Sequence, residues 1–142
     1  MSEVTKQYAV DLTRLETAVY RATNSAGASI EFGSGEGILS PVELLLAAVA
    51  GCSAVDVDVV TSRRAEPESF DVHVEGDRVN EDGASRLSEV RVGFDLSFPD
   101  TPEGNQALKL VDNLIRISHE KDCTVSRTVE NPTRVLFSND SK

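Results

Sequence analysis

From Val90 to Phe98 the sequence reads VRVGFDLSF, with an apolar residue at every second position. Five apolar side chains at period two put one face of an extended strand into a core and leave Arg91, Asp95 and Ser97 on the other. A helix would scatter the same residues around its circumference. Upstream, Phe70, Val72 and Val74 alternate with Asp71, His73 and Glu75, and the turn-like stretch NEDGAS separates the two runs. Such alternation suits antiparallel strands with one solvated face.

The remaining elements follow from local chemistry. Residues 7–32 offer three short strands, YAVDLTRLE, AVYRAT and GASIEF, parted by turn residues such as Asn24-Ser25-Ala26-Gly27. The Gly33–Gly37 loop lacks the lysine and the strand–helix setting of a phosphate loop, and reads as a plain connection. A helix is predicted over 40–62, because Ser40, Pro41 and Glu43 fit the N-cap, N1 and N3 positions of a capping box. The V-D-V-D-V run at 55–59 would also suit a strand, but the cap and the Leu/Ala content upstream outweigh it. A second helix opens near Thr101-Pro102-Glu103, carries the stripe Leu110, Leu114 and Ile117 with Ala107 and Val111 beside it, and stops before Asp122-Cys123. TVSRTV and RVLF then read as a last strand or hairpin around Asn131-Pro132. The expectation is one α+β domain over residues 1–142.

Charge and composition narrow the function. A net charge of −10 disfavours nucleic acid and anionic membranes, whose phosphates repel such a surface. The start, MSEVTKQYAVD, lacks a basic-then-apolar signal peptide. The long apolar run, about a dozen residues closed by Glu43 and Asp56, reads as too short to span a bilayer. A cytoplasmic protein is expected, in which a purely structural disulfide is disfavoured.

Chemistry then centres on Cys52, inside that run. A lone cysteine is commonly a small buried hydrophobe, and composition alone leaves that alternative open. On a regular helix Cys52 shares a face with Val55, Asp56, Val59 and Arg63, some three turns from the N-terminus. The dipole of that helix is out of reach, since its effect fades within the first turn. An ionised Asp56 would raise the thiol pKa. A reactive Cys52 therefore needs a cation from elsewhere, with arginine the natural source. Cys123 lies 71 residues on, in HEKDCTVSRT. No Cys-x-x-Cys or Cys/His cluster at zinc spacing is present, nor a Gly-x-Ser-x-Gly elbow or dinucleotide fingerprint. Neither a metal nor another cofactor is expected. His73 falls on the polar side of a strand, and His119 sits near a helix C-terminus as a favourable charge.

The segments SPVELLLAAVAGCSAVDVDVV and SHEKDCTVSRTV together resemble the two signature segments of the OsmC/Ohr superfamily of organic hydroperoxide reductases. The resemblance runs from about residue 8 to 137, in order and with similar spacing. It implies an OsmC-like α+β fold, with antiparallel sheets wrapped around a long central helix in an intertwined homodimer, and active sites where the subunits meet. Cys52 matches the peroxide-attacking cysteine and Cys123 the resolving one. The implied enzyme is a thiol-dependent peroxidase without metal, haem or flavin. Its substrate is an organic hydroperoxide, suited by Leu44–Leu46 and the Val55/Val59 stripe, and an external dithiol, typically a lipoylated protein, restores it.

The match departs at one place. Well-studied peroxidase branches carry a glutamate directly after the proline, where this chain has Val42, with Glu43 next. The wording P-x-E-LLL and GC-x-x-x-DV is closer to a less characterised branch. Glu43 precedes Cys52 by nine residues, which puts it roughly opposite and about 13–14 Å along the helix, so capping is its expected work. The family's essential arginine comes from the N-terminal strands, where Arg14 is the first match by spacing and Arg21 the second. The rival expectation is a non-enzymatic relative, binding a small apolar ligand or acting in stress response, whose cysteines are spectators.

Overall fold

The computed structural model describes residues 2–142, and the chain divides into two compact units, one ending at Leu45 and one beginning at Leu46. The first unit holds β1 (Val10–Glu16), β2 (Val19–Asn24) and β3 (Ser29–Gly33), an antiparallel sheet in the order β1-β2-β3. Asn24 builds the β2–β3 turn, its Oδ1 accepting from the N–H groups of Ala26 and Ala28 at 3.0 Å each. Gly33 cannot be another residue: its φ is +149°, and a Cβ would lie 2.0 Å from the Ala18 carbonyl oxygen. Phe32 is buried and stacks obliquely on Tyr20 at 6.1 Å, whereas every residue of β1 is exposed.

α1 (Pro41–Thr61) begins in the first unit and continues into the second. Its predicted capping box is formed. The Ser40 N–H donates to Glu43 Oε1 at 2.8 Å, and the Glu43 N–H donates to Ser40 Oγ at 3.1 Å. The bond from the Ser40 backbone, followed by that from its side chain, holds the Glu43 carboxyl below its ordinary pKa. The helix runs 21 residues and, by length and composition, is long and apolar enough to cross a membrane, which corrects the expectation from the shorter apolar run. Neither aspartate ends the helix: Asp56 accepts a hydrogen bond from Ser118, and Asp58 is exposed to solvent. Val57 and Thr61 have no exposed surface, so protein covers this end of α1.

In the second unit β4 (Ser69–Glu81) and β5 (Ala84–Ser97) pair as one long antiparallel hairpin. Asp82 and Gly83 turn it with φ of +53° and +87°, the positive pair that matches strand twist. The alternation acts as expected: Phe70, Val72 and Val74 oppose Leu96, Phe94 and Val92, and Phe70 meets Phe94 edge-on at 6.3 Å. Gly76 keeps that face open. A Cβ there would come within 3.1 Å of Leu87 and 3.3 Å of Leu46 from α1.

α2 (Pro102–Ile117) follows, capped by Thr101 Oγ1, which accepts from the Gly104 N–H at 3.0 Å. It passes into a π-helical turn (Ser118–Asp122) and then α3 (Thr124–Glu130). Here the expected terminal strand is corrected: TVSRTV is helical, and residues 132–142 have no regular secondary structure. β-branched residues suggest a strand, but local side-chain hydrogen bonds support the helix. Cys123 Sγ accepts from the Ser126 N–H, and Thr128 Oγ1 donates to the Thr124 carbonyl at 2.7 Å. Ala107, Val49, Ala50, Val57 and Cys123 are the buried apolar residues of this unit.

Candidate functional site

Cys52 lies mid-way along α1, between two arcs of the helix. One arc runs from Val49 through Val57 to Thr61 and is buried. The other carries Val55 and Val59, 61% and 50% exposed, so within this chain they do not form the apolar surround expected for the thiol. Cys52 itself is half-buried.

Cys123 arrives from the other side. The π-helical turn closes on it, with its N–H donating to the Ser118 carbonyl at 2.7 Å, five residues back. It has no exposed surface, and it caps α3, its sulfur accepting from the Ser126 N–H at 3.3 Å. Both thiols are free, and they lie close enough to influence each other's ionisation although 71 residues separate them in sequence. Val125, in the first turn of α3, brings its backbone N–H toward the Cys52 sulfur.

The two thiols are driven apart in acidity. Burial raises the Cys52 pKa; the Val125 N–H works the other way, but the neighbouring Cys123 sulfur and the Asp56 carboxylate add to the rise. Burial also opposes ionisation of Cys123, yet hydrogen bonds from the hydroxyl and N–H of Ser126, from Cys52 and from Ser53 more than offset it, and hold its pKa below the ordinary value. The Ser126 hydroxyl also lies 3.4 Å from the Cys123 carbonyl, so its one proton is shared between oxygen and sulfur. Of the two, Cys123 is the thiol whose ionisation its surroundings favour.

Around the pair runs a short polar chain. Ser118, 1% exposed, donates to Asp56 Oδ2 at 2.6 Å and lies 3.2 Å from Ser53 Oγ. On the outside, His119 Nε2 meets Glu130 Oε1 at 2.8 Å, and Arg127 donates to the Glu120 carbonyl at 3.0 Å, tying α3 to the π-helical turn. His119 thus has a carboxylate partner besides its place near a helix end. Among the described residues no three His, Cys, Asp or Glu side chains converge as a metal site would require.

The structure brings together Cys52 and Cys123, and adds Ser53, Ser118, Val125 and Ser126, which the sequence reading did not single out. Asp56 acts as expected, raising the Cys52 pKa. The arginines lie in the first unit: Arg14 on β1 donates to Thr17 Oγ1 at 3.0 Å, and Arg21 on β2 is 3.8 Å from Glu31. Val42 is an exposed first-turn residue of α1 beside the capping Glu43.

Comparison with known proteins bears on the family and the fold. The OsmC-like protein family matches over residues 33–137. Among solved structures, a hypothetical protein from Aquifex aeolicus VF5 is similar at 24% identity and a TM-score of 0.71, covering 89% of each chain. An OsmC-like protein of unknown function from Vibrio cholerae is 16% identical with a TM-score of 0.66, over 89% of this chain and 95% of that one. An organic hydroperoxide resistance protein from Elizabethkingia anophelis is 15% identical with a TM-score of 0.59, over 90% and 93%. No curated protein sequence matches. At these identities the structural likeness speaks for the fold alone, and with the family match over most of the length it is decisive: this chain is a member of the OsmC-like protein family.

Proposed function

We propose that the protein is a cysteine-based peroxidase that reduces organic hydroperoxides. The observation that carries the reading is the pair of free thiols brought beside each other, one half-buried and one without exposed surface. A hydroperoxide meets Cys52 first. Its thiolate takes the distal peroxide oxygen, the O–O bond breaks, and the leaving alkoxide gains a proton to become the alcohol. Cys123, with its depressed pKa, then attacks the Cys52 sulfenic acid, forming a disulfide and releasing water. An external dithiol, such as a lipoylated protein, restores both thiols by exchange.

The Cys52 pKa is raised, so the first step requires an added cation beside Cys52. Arg14 is the first choice and Arg21 the second, since arginine stays charged when buried and can also bond the peroxide oxygens. An intertwined homodimer is part of this proposal. Val10 and Leu12 on β1 and Leu136 and Phe137 near the C-terminus are exposed apolar residues, with Phe137 93% exposed, a pattern that a second copy would cover.

A second reading, a non-enzymatic relative with spectator cysteines, draws on the raised Cys52 pKa and on Val42 at the usual glutamate position. Thiol titration before and after one equivalent of cumene hydroperoxide decides between them. Rapid loss of both thiols per chain supports the peroxidase; loss no faster than that of unfolded protein supports the spectator reading.

A further inference from the structure

Ser118 is held at both ends. Its carbonyl accepts the Cys123 N–H at 2.7 Å, and its hydroxyl donates to Asp56 Oδ2 at 2.6 Å. Asp56 sits one turn beyond Cys52 on the same flank of α1. One helix therefore presents both the first thiol and the carboxylate that fixes the turn bearing the second. The hydroxyl of Ser118 has a single proton, and the short bond to a carboxylate claims it. Ser53 Oγ lies 3.2 Å from that hydroxyl and is a neighbour of Cys123 as well.

We infer that Asp56, Ser118 and Ser53 are positioning residues that hold Cys123 against Cys52, so that the π-helical turn cannot drift away from α1. The inference rests on the proposed pairing of these two thiols and deepens it. The network does not touch the hydroperoxide; it sets the local concentration of one thiol at the other. A buried hydroxyl without its partner would cost more than the bond itself contributes, so the turn has one favoured seat.

The readout is the equilibrium between the reduced protein and its Cys52–Cys123 disulfide in glutathione buffers, trapped by alkylation. Two protein thiols and one oxidised glutathione give the protein disulfide and two reduced glutathiones, and no peroxide takes part. In Ser118→Ala and Asp56→Ala the constant for disulfide formation should fall at least tenfold, which makes the couple about 30 mV more oxidising. Asp56→Asn, which keeps the shape and an acceptor oxygen, should recover most of that loss. Thr128→Ala removes a bond internal to α3 and should lower stability without moving the constant. Constants within twofold of wild type in folded Asp56→Ala and Ser118→Ala would overturn the inference, as would a wild-type protein that forms no such disulfide. If Ser118→Ala does not fold, the Asp56→Ala and Asp56→Asn pair decides by the same criterion. A wild-type protein that forms the disulfide yet consumes no hydroperoxide would defeat the peroxidase reading and leave the positioning network standing.

Discussion

Replacing Gly104 by alanine would put a methyl carbon 1.9 Å from the Pro99 carbonyl oxygen, 2.9 Å from its carbonyl carbon and 3.2 Å from its nitrogen. Real Cβ atoms essentially never come within 3.0 Å of another heavy atom, so the start of α2 and the backbone at Pro99 must separate by about 1 Å or more. Both sides of the clash are constrained. The Gly104 N–H is bound to Thr101 Oγ1, and the Pro99 carbonyl accepts from the Thr101 N–H at 2.9 Å. Overpacking of this kind costs about 1–3 kcal/mol, and loss of the Thr101 cap adds about 1 kcal/mol. Alanine gains back about 1 kcal/mol of helix propensity. The net expectation is a loss of about 1–3 kcal/mol, read from urea denaturation at unchanged slope. Thr101→Ala, which removes the cap without the clash, should cost about 1 kcal/mol. A Gly104→Ala protein as stable as wild type would mean that propensity wins and that the close approach at Pro99 is wrong.

Three further expectations concern the cap, the cation and the assembly. Ser40→Ala should cost about 1 kcal/mol at neutral pH. The Glu43 pKa is depressed from 4.5 in the fold, so its contribution is present above pH 4.5 and is lost as pH falls through the lower folded value; Glu43→Gln should remove that acid dependence and leave peroxide turnover unchanged. Either Arg14→Met or Arg21→Met should raise the pH at which Cys52 is alkylated, and wild-type profiles in both variants would place the activating cation elsewhere. Light scattering should give about twice the 15.3 kDa chain mass without dissociation on dilution, and a stable, active monomer would contradict the dimer.

Period-two alternation was enough to find β4 and β5, because one apolar face and one charged face have no other economical arrangement. The Ser40-Pro41-Glu43 signal found the start of α1 to the residue, since capping is local chemistry. Failure came where the deciding contacts leave no mark in the residue pattern. Thr124–Glu130 looks like a strand by β-branching, but Cys123 Sγ supplies an N-cap that no pattern announces. The apolar run in α1 appeared short because Asp56 interrupts it. In the fold that aspartate is the acceptor for Ser118, and helix and carboxylate are kept together. Both cysteines were legible from their paired segments. Ser118 and Ser53 were not, because their roles depend on the π-helical turn meeting α1, sixty-odd residues away in sequence.

The division of labour between the two thiols is tested most directly by mass spectrometry of peroxide-treated Cys123→Ser protein. Removing Cys123 takes away the partner that closes the disulfide, so the oxygen transferred in the first step has nowhere to go. One equivalent of cumene hydroperoxide should leave sulfenic acid on Cys52, trapped by dimedone, and excess should carry it to the sulfinic acid. The matching Cys52→Ser protein should consume no peroxide. Oxidation of the Cys123→Ser protein at other residues, with Cys52 unmodified, would contradict the account.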